Sequence, residues 1–137
     1  MAKEVELIQK TKQFFKQYWH PDNGKQPSWS IHWNFNNSIP NHDKRGCYAL
    51  FNGSEIIYIG VGIGSGLGFR LQEYWKLNKE RNHETKYTYT SDWENLTSIK
   101  TIGFEEDHFH LAAALEIFLI NALSPERNSQ HKNKNGG

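Results

Sequence analysis

Hydrophobic and polar residues alternate with two different periods along the chain, one typical of helices and the other of strands. In the first segment, apolar residues recur at steps of three and four, the spacing of a stripe along one face of a helix. These residues are Val5, Ile8, Phe15, Tyr18 and Trp19. We therefore predict a first helix within residues 3–19.

A period of two follows the breaker cluster His-Pro-Asp-Asn-Gly at residues 20–24. Trp29, Ile31, Trp33 and Phe35 alternate there with polar residues. This alternation is typical of a strand with one buried face, so we predict a half-buried strand over residues 29–35 and a loop after it.

The clearest hairpin signal lies between residues 47 and 60, where two β-prone segments flank the turn-forming pair Asn52-Gly53. Loop length decides which residues pair. A two-residue loop pairs Tyr48 with Ile57, whereas a three-residue loop pairs Tyr48 with Tyr58. If Tyr48 and Tyr58 act together, their side chains must share one face of the hairpin, and this requires the three-residue loop.

The second half of the chain predicts a helix over residues 69–77, a polar loop over 78–94, a strand over 96–104 and a last helix over 107–123. Asp107 is the expected N-cap of that helix, and Pro125 follows its end. The predicted fold class is α/β (α+β), a small, mainly antiparallel sheet flanked by helices, with an extra N-terminal helix and strand.

Composition and charge narrow the class of protein. The 137 residues include 14% aromatic side chains, enough for the core of one domain. Sixteen Lys and Arg against fifteen Asp and Glu leave a net charge of +1, so binding to nucleic acid needs a local basic patch. The candidates for that patch are Lys76, Lys79, Arg81, Lys86 and, in the tail, Lys132. An ordinary solvated surface would explain these basic residues nearly as well.

The sequence has no candidate membrane span or secretory signal, and it contains one cysteine. No apolar run reaches the roughly 18 residues of a membrane span, and the first residues lack a secretory pattern. We therefore expect a soluble, intracellular (cytoplasmic) protein without a membrane partner. Cys47 is the only cysteine, which excludes an intrachain disulfide and favours an inert core thiol.

Glu116 is the sharpest anomaly in the sequence, because it interrupts the apolar run of residues 111–120. Burying a carboxylate without a partner costs several kcal/mol, so a cation or a metal ion should face it. A structural ion pair with Arg70 or Arg127 and a functional metal site are both open at this point.

The chain resembles the GIY-YIG nucleases over residues 46–128. Gly46-Cys47-Tyr48 stands where that family has Gly-Ile-Tyr, with cysteine in place of the usual isoleucine, and Tyr58-Ile59-Gly60 is the intact second element. The family's later polar positions are matched, in order, by Arg70, Tyr74, Glu116 and Asn128. The connection over residues 60–68 is unusually rich in glycine.

The resemblance implies a single-domain endonuclease that hydrolyses DNA phosphodiesters, with double-stranded DNA as the expected partner. It implies one divalent ion, Mg²⁺ or Mn²⁺, held by Glu116. Arg70 would neutralise charge on the phosphate, and Tyr48 would orient or deprotonate the attacking water, directly or through a bound water. Tyr58, Tyr74 and Asn128 would position these groups.

Domain organisation and two rival functions complete the expectations. We expect residues 1–45 to form an N-terminal helix and strand extension packed on the domain, residues 46–128 the GIY-YIG nuclease domain, and residues 129–137 a loose polar tail. One rival is a catalytically silent module of the same scaffold that binds nucleic acid or protein. The other is a structural domain in which Glu116 and Arg70 merely pair.

Overall fold

Helices on both faces of a three-stranded sheet form the framework of the fold. The computed structural model describes residues 2–64, 66–78, 88–91 and 93–129. The longer elements are α1 (Glu4–Tyr18), β1 (Arg45–Asn52), β2 (Glu55–Gly62), α2 (Leu67–Leu71), β3 (Trp75–Asn78), β4 (Thr88–Ser91), β5 (Ser98–Phe104) and α3 (His110–Leu123). The sheet has the order β2-β1-β5 with antiparallel neighbours, and β3 and β4 form a separate antiparallel pair. The predicted fold class is confirmed.

Strand β1 supplies both halves of the core, because its side chains point alternately to the two faces of the sheet. Cys47, Ala49 and Phe51 pack against α1 and α3, whereas Tyr48 and Leu50 pack against α2 and the aromatic segment before β1. The strand is therefore buried on both faces, and the two faces receive different functions. The first face is apolar, and the second carries the polar groups of the candidate site.

Helix α1 confirms the first predicted helix, but its buried stripe differs from the predicted one. The side chains of Leu7, Phe14 and Phe15 are buried against α3 and the sheet. Val5 is 62% exposed and Tyr18 is 52% exposed. Because α1 fills one of the two cores, the N-terminal segment is built into the domain rather than appended to it.

The predicted strand over residues 29–35 is wrong. This segment runs beside the outer edge of β5, and its backbone bonds to β5 through Ser30 and Trp33 without forming a strand of its own. Its apolar side chains do not share one face. Trp29 packs with the α1 side of the core, Trp33 with the α2 side, and Ile31 is 80% exposed. The segment thus covers an otherwise open sheet edge.

The predictions between the hairpin and β5 are partly wrong. The helix predicted over residues 69–77 ends as a 3-10 turn at Tyr74, and Trp75 becomes extended to begin β3. Trp75 then packs edge-on against Trp33, with ring centroids 4.9 Å apart. The polar segment predicted as loop includes β4, which pairs with β3. Tertiary pairing overrides the local propensity here.

The last helix begins later than predicted and ends where predicted. Asp107 lies in a 3-10 turn over Glu106–His108 and does not cap α3, whose N-cap residue, Phe109, makes no side-chain capping bond. The strand predicted over residues 96–104 is confirmed as β5. No helix among the described residues is both long and apolar enough to cross a membrane.

A polar cluster ties the start of α1 to β5. Glu4 accepts a 2.8 Å ion pair from Lys100 and lies 3.0 Å from His32, whose other ring nitrogen is 2.7 Å from the Ser98 hydroxyl. The bonds from Lys100 and His32 lower the pKa of Glu4. Ser98 is buried, so a substrate cannot reach its hydroxyl. Ser98, His32 and Glu4 therefore hold α1 against β5 and do not form a nucleophilic site.

The integration of α1 into the core gives a direct prediction. Leu7→Ala, at a fully buried position, should lower the free energy of unfolding by about 2–5 kcal/mol, because it leaves a cavity between α1 and the sheet. Val5→Ala, on the exposed side of the same helix, should change it by less than about 0.5 kcal/mol. Urea denaturation measures both. Equal, small effects would mean that α1 is a dispensable extension.

Candidate active site

Tyr48 and Gly60 determine the geometry of the hairpin on the α2 face. The register pairs Tyr48 with Gly60, not with Ile57 or Tyr58 as either predicted loop required. A methyl group added to Gly60 would overlap the Tyr48 ring. The Tyr48 side chain therefore crosses the space that any other residue at position 60 would fill.

An irregularity in β2 brings Tyr58 to the same face as Tyr48. The turn leaves Phe51 paired with Ile56, but the register then shifts so that Leu50 pairs with Tyr58 and Ile57 is the extra residue. A bulge of this kind puts two consecutive side chains on one face. Ile57 and Tyr58 accordingly both pack on the α2 side. A prediction from loop length alone could not include this shift.

Three tyrosines meet beside α2. The hydroxyl groups of Tyr48 and Tyr74 share a 3.0 Å hydrogen bond, and their ring centroids are 5.6 Å apart. The ring of Tyr58 lies 6.2 Å from that of Tyr48 and 6.4 Å from that of Tyr74. Tyr48 and Tyr74 are buried, whereas Tyr58 is partly exposed. We call these three residues the tyrosine cluster; Tyr58 is its most accessible member.

Trp93 and Arg127 complete this surface, although neither was predicted as part of the site. Trp93 packs edge-on against Tyr58 and Tyr74, with centroids 5.6 and 4.8 Å away. The Arg127 guanidinium lies 5.1 Å from the centre of the Trp93 ring. Trp93 stands in a polar segment without periodicity, so no local signal marked it.

Arg70 supplies a second guanidinium from α2. Its Nη1 atom lies 2.6 Å from a carboxylate oxygen of Glu73, and both side chains are accessible to solvent. Partial burial opposes the charge of Arg70, but the oxygens of Tyr48 and Tyr74 and the Glu73 carboxylate outweigh it and raise the pKa of Arg70. The cluster therefore has a permanently charged group at its border.

The two buried phenols are held in their neutral form. Burial raises the pKa of Tyr48 far above its ordinary value; Tyr74 adds to this effect, and Arg70 partly offsets it. Burial also raises the pKa of Tyr74. A phenol that keeps its proton is a poor general base. Tyr48 is thus arranged to donate or share a hydrogen bond rather than to remove a proton.

Asn128 attaches the chain after α3 to the outer edge of β2. Its amide oxygen accepts from the Ile59 backbone N–H at 2.9 Å, and its amide nitrogen donates to the Ile59 carbonyl at 2.8 Å. The Arg127 backbone N–H donates to the Ile57 carbonyl nearby. The buried Asn128 side chain imitates a neighbouring strand, and this contact fixes the position of Arg127.

Glu116 approaches the hairpin from the helix on the other face of the sheet. The Cys47 thiol donates to the Ala112 carbonyl one turn before Glu116, at 3.0 Å. Burial, followed by the nearby Glu116 carboxylate, raises the pKa of Cys47. The prediction of an inert core thiol agrees with this burial. Glu116 itself is partly buried beside the strand that carries Tyr48.

The described residues could bind a metal ion through one or two carboxylates, but not through a cage of several protein ligands. No group of three or more His, Cys, Asp or Glu among these residues could enclose a metal ion. Mg²⁺ does not need such a cage, because it keeps most of its waters and is often held by one or two carboxylates together with substrate phosphate. The single, partly buried Glu116 fits that type of ion.

The predicted basic patch falls outside the described part of the structure. Lys79, Arg81, Lys86 and Lys132, together with the side chain of Lys76, are not among the described residues, and neither is most of the predicted tail. Arg70 and Arg127 are the guanidinium groups that the described contacts place at the tyrosine cluster and its tryptophan.

Comparisons of the chain with protein-family models, with curated proteins and with solved structures gave no significant match.

The contact between Tyr48 and Gly60 gives a prediction with a matched control. Gly60→Ala should lower the free energy of unfolding by about 1–3 kcal/mol, because the new methyl group overlaps the Tyr48 ring. Gly64→Ala, where no atom lies within 4 Å of the added group, should change it by less than about 0.5 kcal/mol. Chemical denaturation compares the two variants.

The same comparison in a Tyr48→Ala background identifies the cause. Without the ring, Gly60→Ala should cost much less, so the two substitutions should be strongly non-additive. Additive effects would show that position 60 needs glycine for a reason other than Tyr48.

Alkaline pH tests the buried phenols. Below the unfolded pKa of about 10, the protonated phenol contributes its full stability; above it, the unfolded chain loses this proton while the native state keeps it. Stability should therefore fall above about pH 10, by up to about 1.4 kcal/mol per pH unit for each such tyrosine. Denaturation from about pH 9 to 11 should give a shallower slope for Tyr48→Phe. Identical slopes would contradict the raised pKa of Tyr48.

Proposed function

We propose that this protein is a metal-dependent DNA endonuclease that hydrolyses phosphodiester bonds at a GIY-YIG-like site. The observation that carries the proposal is the convergence of Tyr48, Tyr58, Tyr74 and Arg70 on one surface beside α2. These residues come from three separate segments of the chain. Tyr58 supplies an accessible hydroxyl group and Arg70 a fixed positive charge, which suit an anionic phosphodiester, and the buried Tyr48 and Tyr74 support them.

Arg70 binds the phosphate in this proposal. Its guanidinium can hold two phosphate oxygens through paired hydrogen bonds and offset the charge that develops during displacement. The phosphate then replaces Glu73 as the partner of Arg70, which is possible because both side chains of that pair are accessible. Arg127, beside Trp93, offers a second charge for the adjoining backbone.

The hydrolysis itself forms one bond and breaks one. The water oxygen attacks phosphorus, the bond from phosphorus to the 3′ oxygen breaks, and the products are a 5′ phosphate and a 3′ hydroxyl. The water gives up a proton to solvent, and the 3′ oxygen takes one from solvent. Tyr58 is the tyrosine best placed to contact the water, because it is the partly exposed member of the cluster.

Tyr48 acts as a positioning residue in this proposal, which revises the role first expected for it. It is completely buried, and its pKa is raised, so direct proton removal from water is unfavourable. Its hydrogen bond to Tyr74 and its contact with Gly60 fix the surface on which Tyr58 and Arg70 act.

Glu116 is the residue that would hold the divalent ion. Helices α2 and α3 pack against β2 from opposite faces of the sheet, so the proposal requires Glu116 to reach the phosphate around the edge of that strand. When bound there, Mg²⁺ would supply charge neutralisation at phosphorus and stabilise the leaving oxygen.

The rival proposal is a catalytically silent binding module built on the same scaffold. The net charge of +1 favours it, because the chain has no general attraction for nucleic acid. The two proposals differ in what Glu116 and Tyr58 do: a binding module needs the cluster only as a surface.

Nicking of supercoiled plasmid tests the proposal. The wild-type protein should nick DNA with Mg²⁺ or Mn²⁺ and lose this activity in EDTA. Folded Glu116→Gln and Arg70→Ala should lower the rate at least about 100-fold, as expected for lost electrostatic stabilisation. Tyr58→Phe, which keeps the ring contacts, should lose a similar factor.

Asp22→Asn removes a carboxylate that is 91% exposed and serves as the matched control, which should retain full activity. Absence of nicking by wild-type protein on every DNA form, with unchanged DNA binding by Glu116→Gln, would support the binding module instead. Nicking that survives in Glu116→Gln would contradict the assigned metal residue.

A further inference from the structure

A cavity lies against the same short helix that carries Arg70. It has a volume of about 300 Å³, and its walls include Trp33, Asn37, His42, Phe69, Gln72 and Trp75. None of these residues belongs to the tyrosine cluster. The cavity and the cluster are neighbours, because Trp33 and Trp75 belong to the same hydrophobic core as Tyr48 and Tyr74.

The walls of this cavity are aromatic and rigid. Trp33 is buried, and its indole N–H donates to the backbone carbonyl groups of Asn36 and Asn37 at 2.9 and 3.3 Å, which fixes the ring. Trp75 packs edge-on against Trp33 and is partly exposed. Phe69 is 65% exposed. The cavity therefore presents an accessible aromatic surface.

Neutral amide groups, which can both donate and accept hydrogen bonds, are among the polar groups of the cavity. Asn37 and Gln72 are exposed amide side chains, and amides form paired hydrogen bonds with the edges of planar heterocycles. The volume lies at the low end of the range for small-molecule sites, which suits one planar group rather than a larger ligand. Aromatic walls with amide groups are the chemistry that binds a nucleobase.

We propose that this cavity binds one unpaired nucleobase next to the phosphate held by Arg70. The inference rests on the proposed function and specifies its substrate: DNA with a bulged or extruded nucleotide beside the cleaved bond. A paired base cannot enter such a cavity without leaving the helix, which costs a few kcal/mol. The protein therefore prefers DNA that already contains an unpaired nucleotide over fully paired DNA.

Binding without metal tests this inference separately from catalysis. Fluorescence anisotropy in EDTA would compare a labelled duplex that has one unpaired nucleotide with the same duplex fully paired. The wild-type protein should bind the first on the order of tenfold more tightly, as expected for one stacked base. A third duplex, with an abasic site at the unpaired position, should bind like the fully paired one.

Variants at Phe69 test whether the preference for the duplex with an unpaired nucleotide arises from the cavity. Phe69→Ala should remove the tenfold preference and leave binding to paired DNA unchanged, and Phe69→Trp should keep the preference. Val5→Ala, at another exposed apolar position, is the matched control and should change neither affinity.

Equal binding of the bulged and abasic duplexes would overturn the inference, as would a preference that survives in Phe69→Ala. Nicking of bulged and paired DNA at the same rate, without a binding preference, would overturn it while leaving the proposed nuclease intact. A base-dependent binding preference without metal-dependent nicking would support the cavity and remove the proposed catalysis.

Discussion

The contact between the Tyr48 ring and Gly60 is the constraint on which the rest of the site depends. Since glycine leaves space at position 60, the Tyr48 ring can lie across β2, and its hydroxyl reaches that of Tyr74 in the 3-10 turn after α2. The bulge at Ile57 then brings Tyr58 to the same face. Because β1 is buried on both faces, the strand holds this arrangement rigidly between two cores.

The electrostatic character of the site follows from that burial. Two phenols without contact with bulk water keep their protons, and the charged groups are placed at the border, where water or a phosphate can reach them. Such a surface is suited to binding an anion and orienting it, with proton transfer left to accessible groups. For this reason the proposed nuclease uses Tyr48 for positioning, and Tyr58 and Arg70 for contact with the reacting atoms.

The sequence was informative where a local pattern determines the structure and less so where distant segments meet. Helix α1, the hairpin strands, β5 and the end of α3 follow from periodicity and turn residues. The register of Tyr48 depends on a bulge at Ile57. The path of residues 29–35 depends on tertiary packing, because Trp29 packs in one core and Trp33 in the other. Trp93 joined the site through packing alone. Tyr48, Tyr58, Arg70 and Tyr74, which the residue resemblance named, lie beside one another, whereas Glu116 lies in the helix on the other face of the sheet; this arrangement and the burial of the tyrosines could come only from the structure.

The central claim is that the surface formed by the tyrosine cluster and Arg70 binds a phosphodiester backbone. An NMR titration with a phosphorothioate oligonucleotide that resists cleavage tests this claim most directly. The account predicts that the largest amide shifts fall on Tyr58, Arg70, Tyr74 and Arg127, and that they saturate together. Shifts confined to another surface, such as the exposed side of α1 and α3, or no saturable shifts at all, would contradict it.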